Sequence, residues 1–348
     1  MARLGTKGPA LSAGGGPPWR LSSGPSRAED LVCRVERGEI APGEVLRVLR
    51  GPRGRASAER SGQAEAESGP RLADALEELD SLVGLASVKK LVRELHAFIV
   101  IQRERSLQGL TVEPLVLHMV FKGNPGTGKT TVARILGRIF RSTGVLQKGH
   151  LVECERADLV GEYIGHTAQK TREQIRRALG GILFIDEGYS LARGGEKDFG
   201  KEAIDTLVKA MEDHKDELVL ILAGYRNEME EFLESNPGLR SRFPIHIDFP
   251  DFTLDELMEI ADRMVGRRQY RLTPEARQVL RSRLAHYRRL PYGDENAGNA
   301  RLVRNIIERA MRRQALRLVG RPSFSRTDLV TLEAEDLLDE EEGAGRAR

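Results

Sequence analysis

"FKGNPGTGKTTVARIL", residues 121–136, decides how this chain is read. Glycine, proline, threonine and lysine sit here between two apolar stretches, where a core pattern would not tolerate them without a reason. Gly123 to Thr130 fits GxxxxGK[ST] letter for letter. An apolar run, "LVLHMVF" (115–121), precedes it, and helical spacing at Val132, Ile135, Leu136 and Ile139 follows. Strand, glycine loop and helix in that order make a polyphosphate cradle. Gly123, Gly126 and Gly128 free the backbone so that its N–H groups converge on phosphate oxygens, with Asn124, Pro125 and Thr127 completing the loop. The helix that follows points its positive end at the same charge. Lys129 is placed to reach the β- and γ-phosphates, Thr130 to ligate Mg²⁺, and Thr131 to meet the α-phosphate. The expected cofactors are ATP and Mg²⁺.

Outward from the cradle, short apolar runs alternate with amphipathic helical patterns. "HLVECE", "GILFID", "LVLILAG" and "PIHIDFP" read as further strands, and the stretches between them as helices. This predicts an α/β fold, a parallel sheet flanked by helices. "GGILFIDE" carries Asp186 and Glu187 to a strand's carboxyl end, where ligands of α/β sheets bind. Asp186 is expected to hold Mg²⁺ and Glu187 to polarise the attacking water. From Asp251 the strand patterns stop. A capping box at Thr253 and Glu256, a proline at 274 opening a helix, and the run 299–319 predict a small all-helical domain over 251–325. An acidic tail is expected over 326–348.

Residues 1–70 read as a weakly ordered extension, with linker-like composition over 51–70. Two amphipathic pieces within 28–51 fit a helical arm or a partner-binding hairpin, and Trp19 a tail residue or an anchor. The α/β domain is placed at 71–250, opening on a linker helix. Lys+Arg total 55 against Asp+Glu 52, too even a balance to imply a nucleic-acid or membrane partner. Two cysteines make neither a disulfide framework nor a zinc site. With no membrane-length apolar run and no secretory leader pattern, a cytoplasmic protein is expected.

Four stretches carry a resemblance: "GNPGTGKT", "GGILFIDE", "NPGLRSRFP" and "GNARLVRN", in that order. The chain resembles an AAA+ ATPase, a P-loop NTPase with a helical lid. "LVGEYIGHTAQKT" and "EGYSLARGGEKDFGKEAIDTLVKAMED" narrow the likeness to the CbxX/CfxQ group, and within it to a sporulation branch. The resemblance spans roughly residues 75–320. It implies a homo-oligomeric ring, usually a hexamer, with ATP between subunits and a protein substrate drawn through a central pore. It implies Arg242, with Arg240 as alternative or helper, as the arginine reaching a neighbour's phosphate. Arg301 would take the family's sensor 2 position on the lid, and Tyr163, Ile164 and Gly165 would line the pore. The polar residue ending the fourth strand in the wider superfamily is not matched; Gly224, Tyr225 and Asn227 stand there, and the assignment stays open. A nucleic-acid motor or loader, a nucleotide-controlled assembly switch and a rubisco-activase-like remodeller are the competing functions. The basic run Arg304, Arg309, Arg312, Arg313 and Arg317 fits a nucleic-acid face less well than a solvated or ring-contacting surface.

Overall fold

The computed structural model describes residues 72–113, 115–163, 165–193, 199–288 and 298–338. Two helices, α1 (Leu72–Ser81) and α2 (Ala86–Leu107), open the described chain. They lead to β1 (Met119–Gly123) and α3 (Lys129–Thr143), the strand and helix on either side of the glycine loop. Then come β2 (Leu151–Cys154), a turn of helix α4 (Arg156–Leu159), α5 (His166–Ala178), β3 (Ile182–Ile185) and α6 (Gly200–Asp213). The remaining sheet elements are β4 (Val219–Gly224), α7 (Arg226–Ser235), α8 (Pro237–Arg240) and β5 (Ile245–Phe249).

The five strands form one parallel sheet in the order β2-β3-β4-β1-β5. Alternation explains why the inner strands β3 and β4 are apolar throughout, while the edge strands β2 and β5 keep Glu153, His246 and Asp248 exposed. Phe121, Phe184 and Ile221 point into one core, and Val120, Leu183 and Leu222 into another on the opposite face. A parallel strand covered by helices on both sides has no face left for polar residues. The first core continues through Leu257, Ala261, Leu302 and Val303, so the lid shares packing with the sheet domain.

β1 starts at Met119, four residues later than the apolar run 115–121 predicts. His118 is the reason. Its Nδ1 accepts the Leu220 N–H at 3.0 Å, so a side chain occupies the position a ladder carbonyl would take.

The lid is α9 (Leu254–Arg267), β6 (Arg271–Leu272), α10 (Pro274–Tyr287) and α11 (Asn299–Val319). Thr253 and Glu256 form the predicted capping box, and Thr273 caps α10 ahead of Pro274. The chain from 326 to 338 is not a tail. It forms α12 (Arg326–Val330), β7 (Thr331–Leu332) and α13 (Ala334–Leu337), and β7 pairs in parallel with β6. Leu332 and Leu337 are fully buried in the lid core. Arg317 of the basic helix faces inward to Asp336, Glu333 and Glu335 at 2.7–3.0 Å. Acidic composition concealed these apolar residues and their counter-charge. No helix among the described residues is long and apolar enough to cross a membrane. Cys154 is a buried free thiol, and Cys33 lies outside the described residues.

Candidate nucleotide site

Three adjacent strands, β3, β4 and β1, deliver the site at their carboxyl ends. β1 ends in Gly123, β3 runs into Asp186 and Glu187, and β4 into Gly224 and Tyr225. Between them and the first turn of α11 lies a cleft of about 1060 Å³. Gly123, Pro125, Gly126, Gly128, Lys129, Thr130 and Thr131 line it from the loop side, Asp186 and Glu187 from β3, and Arg301 from the lid. Its size suits a nucleotide with its phosphates.

The loop requires glycine where predicted. Gly126 has φ +74°, and a Cβ there would stand 2.8 Å from the Arg301 backbone nitrogen and 2.9 Å from the Gly298 carbonyl oxygen. Gly128, with φ +97°, is the residue from which α3 starts. A Cβ at Gly128 would lie 3.6 Å from Leu85, which brings the segment between α1 and α2 against the cradle. The Lys129 ammonium donates to the Gly123 and Asn124 carbonyls at 2.8 and 3.0 Å, capping its own loop. Burial pushes this amine below its ordinary pKa, and Arg301 adds to the depression; Asp186 opposes it most strongly, with Asp251 and Glu187 acting the same way. A partly buried cation among a few carboxylates is a site prepared for additional negative charge.

Asp186 Oδ1 accepts the N–H of Glu187 at 3.0 Å. Glu187 has φ +49°, a left-handed conformation that costs a non-glycine residue on the order of 1 kcal/mol or more. That turn leaves its carboxylate exposed in the cleft. Tyr189 packs beneath it with its ring 6.1 Å from that of Tyr225, and burial, with Glu187, pushes its phenol above the ordinary range. Thr130 and Asp186 supply a hydroxyl and a carboxylate to one cleft, hard oxygen donors of the type Mg²⁺ takes. Tyr225 lines the cleft and Asn227 does not, which favours Tyr225 among the residues after β4.

Not every predicted residue turns toward the cleft. The Asn124 amide is committed to the Asp251 carboxylate at 2.8 and 2.9 Å. Thr127 is fully buried, its hydroxyl donating to the Asn124 carbonyl. Both shape the loop from behind. Arg242 is ion-paired with Glu212 and donates to the Gly238 carbonyl at 2.8 Å; Arg240 stands exposed, without a partner for its guanidinium among the described residues. Neither lines the cleft. Tyr163 is 66% exposed, in edge contact with His166 at 5.5 Å. Gly165 has φ +81°, and nothing lies within 4 Å of a Cβ built on it. Ile164 lies outside the described residues. Gly161 and Glu162, just before Tyr163, do line the cleft.

Sequence reading missed Arg134, Glu155, Arg156, Lys170 and Ser190, which close the cleft's far wall, and placed Arg304 only in a basic run. Arg156 donates to the Ser190 carbonyl at 2.5 Å, and Lys170 to that of Val160 at 3.2 Å. No local pattern announces them; only the fold brings α4 and α5 to the cradle.

These features define a P-loop ATPase with a helical lid. Comparison with known proteins agrees: residues 119–251 match the family described as ATPase family associated with various cellular activities (AAA), and residues 253–347 the AAA lid domain. The chain belongs to the AAA ATPase family. Among its relatives, it is similar to Stage V sporulation protein K of Bacillus subtilis (strain 168), with 56% identity over 270 residues, 78% of this chain and 84% of that protein. It is 48% identical over 272 residues to a Protein CfxQ homolog of Guillardia theta, covering 77% of this chain and 92% of that one. It is 45% identical over 272 residues to the chloroplastic ribulose bisphosphate carboxylase/oxygenase activase of Cyanidioschyzon merolae (strain NIES-3377 / 10D), covering 77% and 92%.

Proposed function

We propose that this ATPase works as a ring, most simply a hexamer, that binds MgATP between neighbouring copies and uses its hydrolysis to pull on a polypeptide. One observation carries the reading. Lys129, Thr130, Asp186, Glu187 and Arg301 share a cleft, while Arg240 and Arg242 sit outside it. One chain thus holds a complete phosphate cradle and, elsewhere, an arginine pair suited to a second chain's cradle. A guanidinium brought to a neighbour's γ-phosphate offsets the charge that builds up during transfer.

Within one subunit, the loop N–H groups and Lys129 hold the triphosphate in line. Thr130 and Asp186 would hold Mg²⁺, whose charge neutralises phosphate oxygens. The Glu187 carboxylate orients the attacking water and accepts its proton. Arg301 meets the nucleotide from the lid, so loss of the γ-phosphate removes a contact between the two domains. The loop that starts by lining the cleft at Gly161 and Glu162 continues to Tyr163, a direct route from nucleotide state to an exposed aromatic. With Ile164 and the bend at Gly165, Tyr163 offers sequence-tolerant apolar grip. Relatedness at 56% identity to a sporulation protein favours a sporulation setting, in the cytoplasm, over rubisco activation.

Glu187→Gln tests the reading. It is expected to retain ATP, assemble, and hold its client; polypeptide recovered with it supports the proposal. Nucleic acid recovered instead, with ATPase activity stimulated by DNA and weakened steeply by salt, overturns it in favour of a nucleic-acid motor.

A further inference from the structure

Behind the phosphate loop, on the side away from the cleft, polar side chains form a chain that spans two domains. Asp251 ends the segment after β5, and its carboxylate accepts the Asn124 amide at 2.8 and 2.9 Å. The same carboxylate accepts the Asn299 amide at 2.8 Å. Asn299 is the first residue of α11 and only 6% exposed. Its Oδ1 accepts the Phe252 N–H at 3.0 Å, and its Nδ2 also reaches the Pro125 carbonyl at 3.4 Å. One residue on, the Ala300 N–H donates to the Gly126 carbonyl at 3.1 Å. Asn299 has φ +32°, the left-handed side of the map, where asparagine and aspartate are the best-tolerated side chains after glycine.

The geometry points to Asn299 and Asp251 as a positioning pair: a buried strap that holds the lid's last long helix on the phosphate loop and thereby aims Arg301 into the cleft. The strap makes no contact with substrate. It acts through Arg301, two residues along α11, and through Asn124, Pro125 and Gly126, whose conformation shapes the cradle. Each polar group in it is matched. The Asn299 amide presents an acceptor to the Phe252 backbone, at the join of the two domains, and a donor to Asp251, while Asp251 can only accept when ionised. Asparagine at 299 and aspartate at 251 are therefore complementary, and aspartate at both positions would set two carboxylates against each other. The strap joins a loop that responds to phosphate to a helix that moves with the lid, and such a two-sided contact is what couples one state to the other. Glycine at 126 completes it, since any Cβ there would push α11 away.

The inference rests on the ATPase reading for its consequence and not for its existence, so the test has two arms. Full-length chains carrying Asn299→Asp, Asp251→Asn and both changes together are compared with the parent. Amide hydrogen exchange without nucleotide reads the strap at Phe252 and over residues 300–302. The kcat at saturating ATP reads the aim of Arg301, independent of altered affinity. Each single variant is expected to speed exchange about tenfold and lower kcat about tenfold. The double variant restores a donor facing an acceptor and is expected to recover both within threefold of the parent. Asn299→Ala, which removes the bonds without adding charge, carries the test if the charged variant does not fold; it is expected to match the single variants. Losses that simply add in the double variant overturn the strap, and exchange that recovers without kcat overturns its role in aiming Arg301. A parent chain that binds no ATP breaks the preceding reading instead, and exchange alone then decides the strap.

Discussion

The nucleotide cleft and the corner from Arg240 to Phe243 are carried by one sheet, yet they treat charge in opposite ways. In the cleft, a partly buried ammonium, two carboxylates and a lid arginine converge, and loop carbonyls cap the cation. At the corner, Phe243 is fully buried as an anchor while Arg240 projects without a partner among the described residues and Arg242 rests on an exposed Glu212. Salt bridges this exposed add little to stability, typically under about 1 kcal/mol. Folding therefore does not explain the arginines, whereas it does explain most of the loop. The contrast is what the proposed ring predicts, in which one region is a finished site and the other completes a neighbour's.

The largest effect should come from separating these halves. Glu187→Gln and Arg242→Ala are each expected to lower ATP turnover by roughly 10³-fold, within the range on which a general base or a transferred-phosphate arginine acts. If the halves meet across subunits, mixing the two inactive chains restores turnover at interfaces that pair an intact Glu187 with an intact Arg242. No recovery on mixing breaks the comparison. Arg240→Ala run in parallel shows which arginine dominates.

Next in size is the lid's closing segment. Leu337 is fully buried, and Leu337→Ala is expected to destabilise by about 2–5 kcal/mol, read as an earlier urea transition. A truly extended acidic tail would show no change. This segment also marks where sequence reading failed. Its composition is acidic, and the apolar residues are too few to register as a pattern. Arg317, which gives the charges their partner, lies a dozen or more residues upstream. The cradle was legible for the opposite reason. Its chemistry is local, so consecutive residues display the whole requirement for glycine, lysine and threonine. The inner strands were legible because alternation into two cores makes β3 and β4 apolar along their whole length. Asn299, Asp251, Arg156 and Lys170 were not, because each finds its partner across the fold and no spacing records it.

His118 provides a smaller, pH-dependent check on the sheet that carries both regions. Burial lowers its pKa from the ordinary 6.5 to about 4, partly offset by a hydrogen bond to the Met211 backbone. Between those values the unfolded chain binds the proton that the folded chain refuses. Stability is then intact above about pH 6.5 and declines as pH falls toward 4, by an amount on the order of 3 kcal/mol at the bottom of the window. His118→Asn keeps an acceptor for the Leu220 N–H and does not titrate. It should flatten this part of the urea-midpoint profile between pH 7 and 5, and an unchanged slope would assign the effect elsewhere.

The smallest expected change in basal turnover is the one that most sharpens the comparison. Tyr163 stands exposed on a loop whose first residues, Gly161 and Glu162, line the cleft, and it does not line the cleft itself. An exposed aromatic of this size costs solvation and adds nothing to the subunit's own core. Tyr163→Ala should leave melting unchanged and ATP turnover within about twofold, because neither the cradle nor the arginine pair is altered. What it should remove is stimulation of turnover by a client polypeptide and the displacement of that client. Loss of basal turnover comparable to Arg242→Ala would instead place Tyr163 at the subunit contact, and the outward-facing half of the site would then include the loop as well as the arginines.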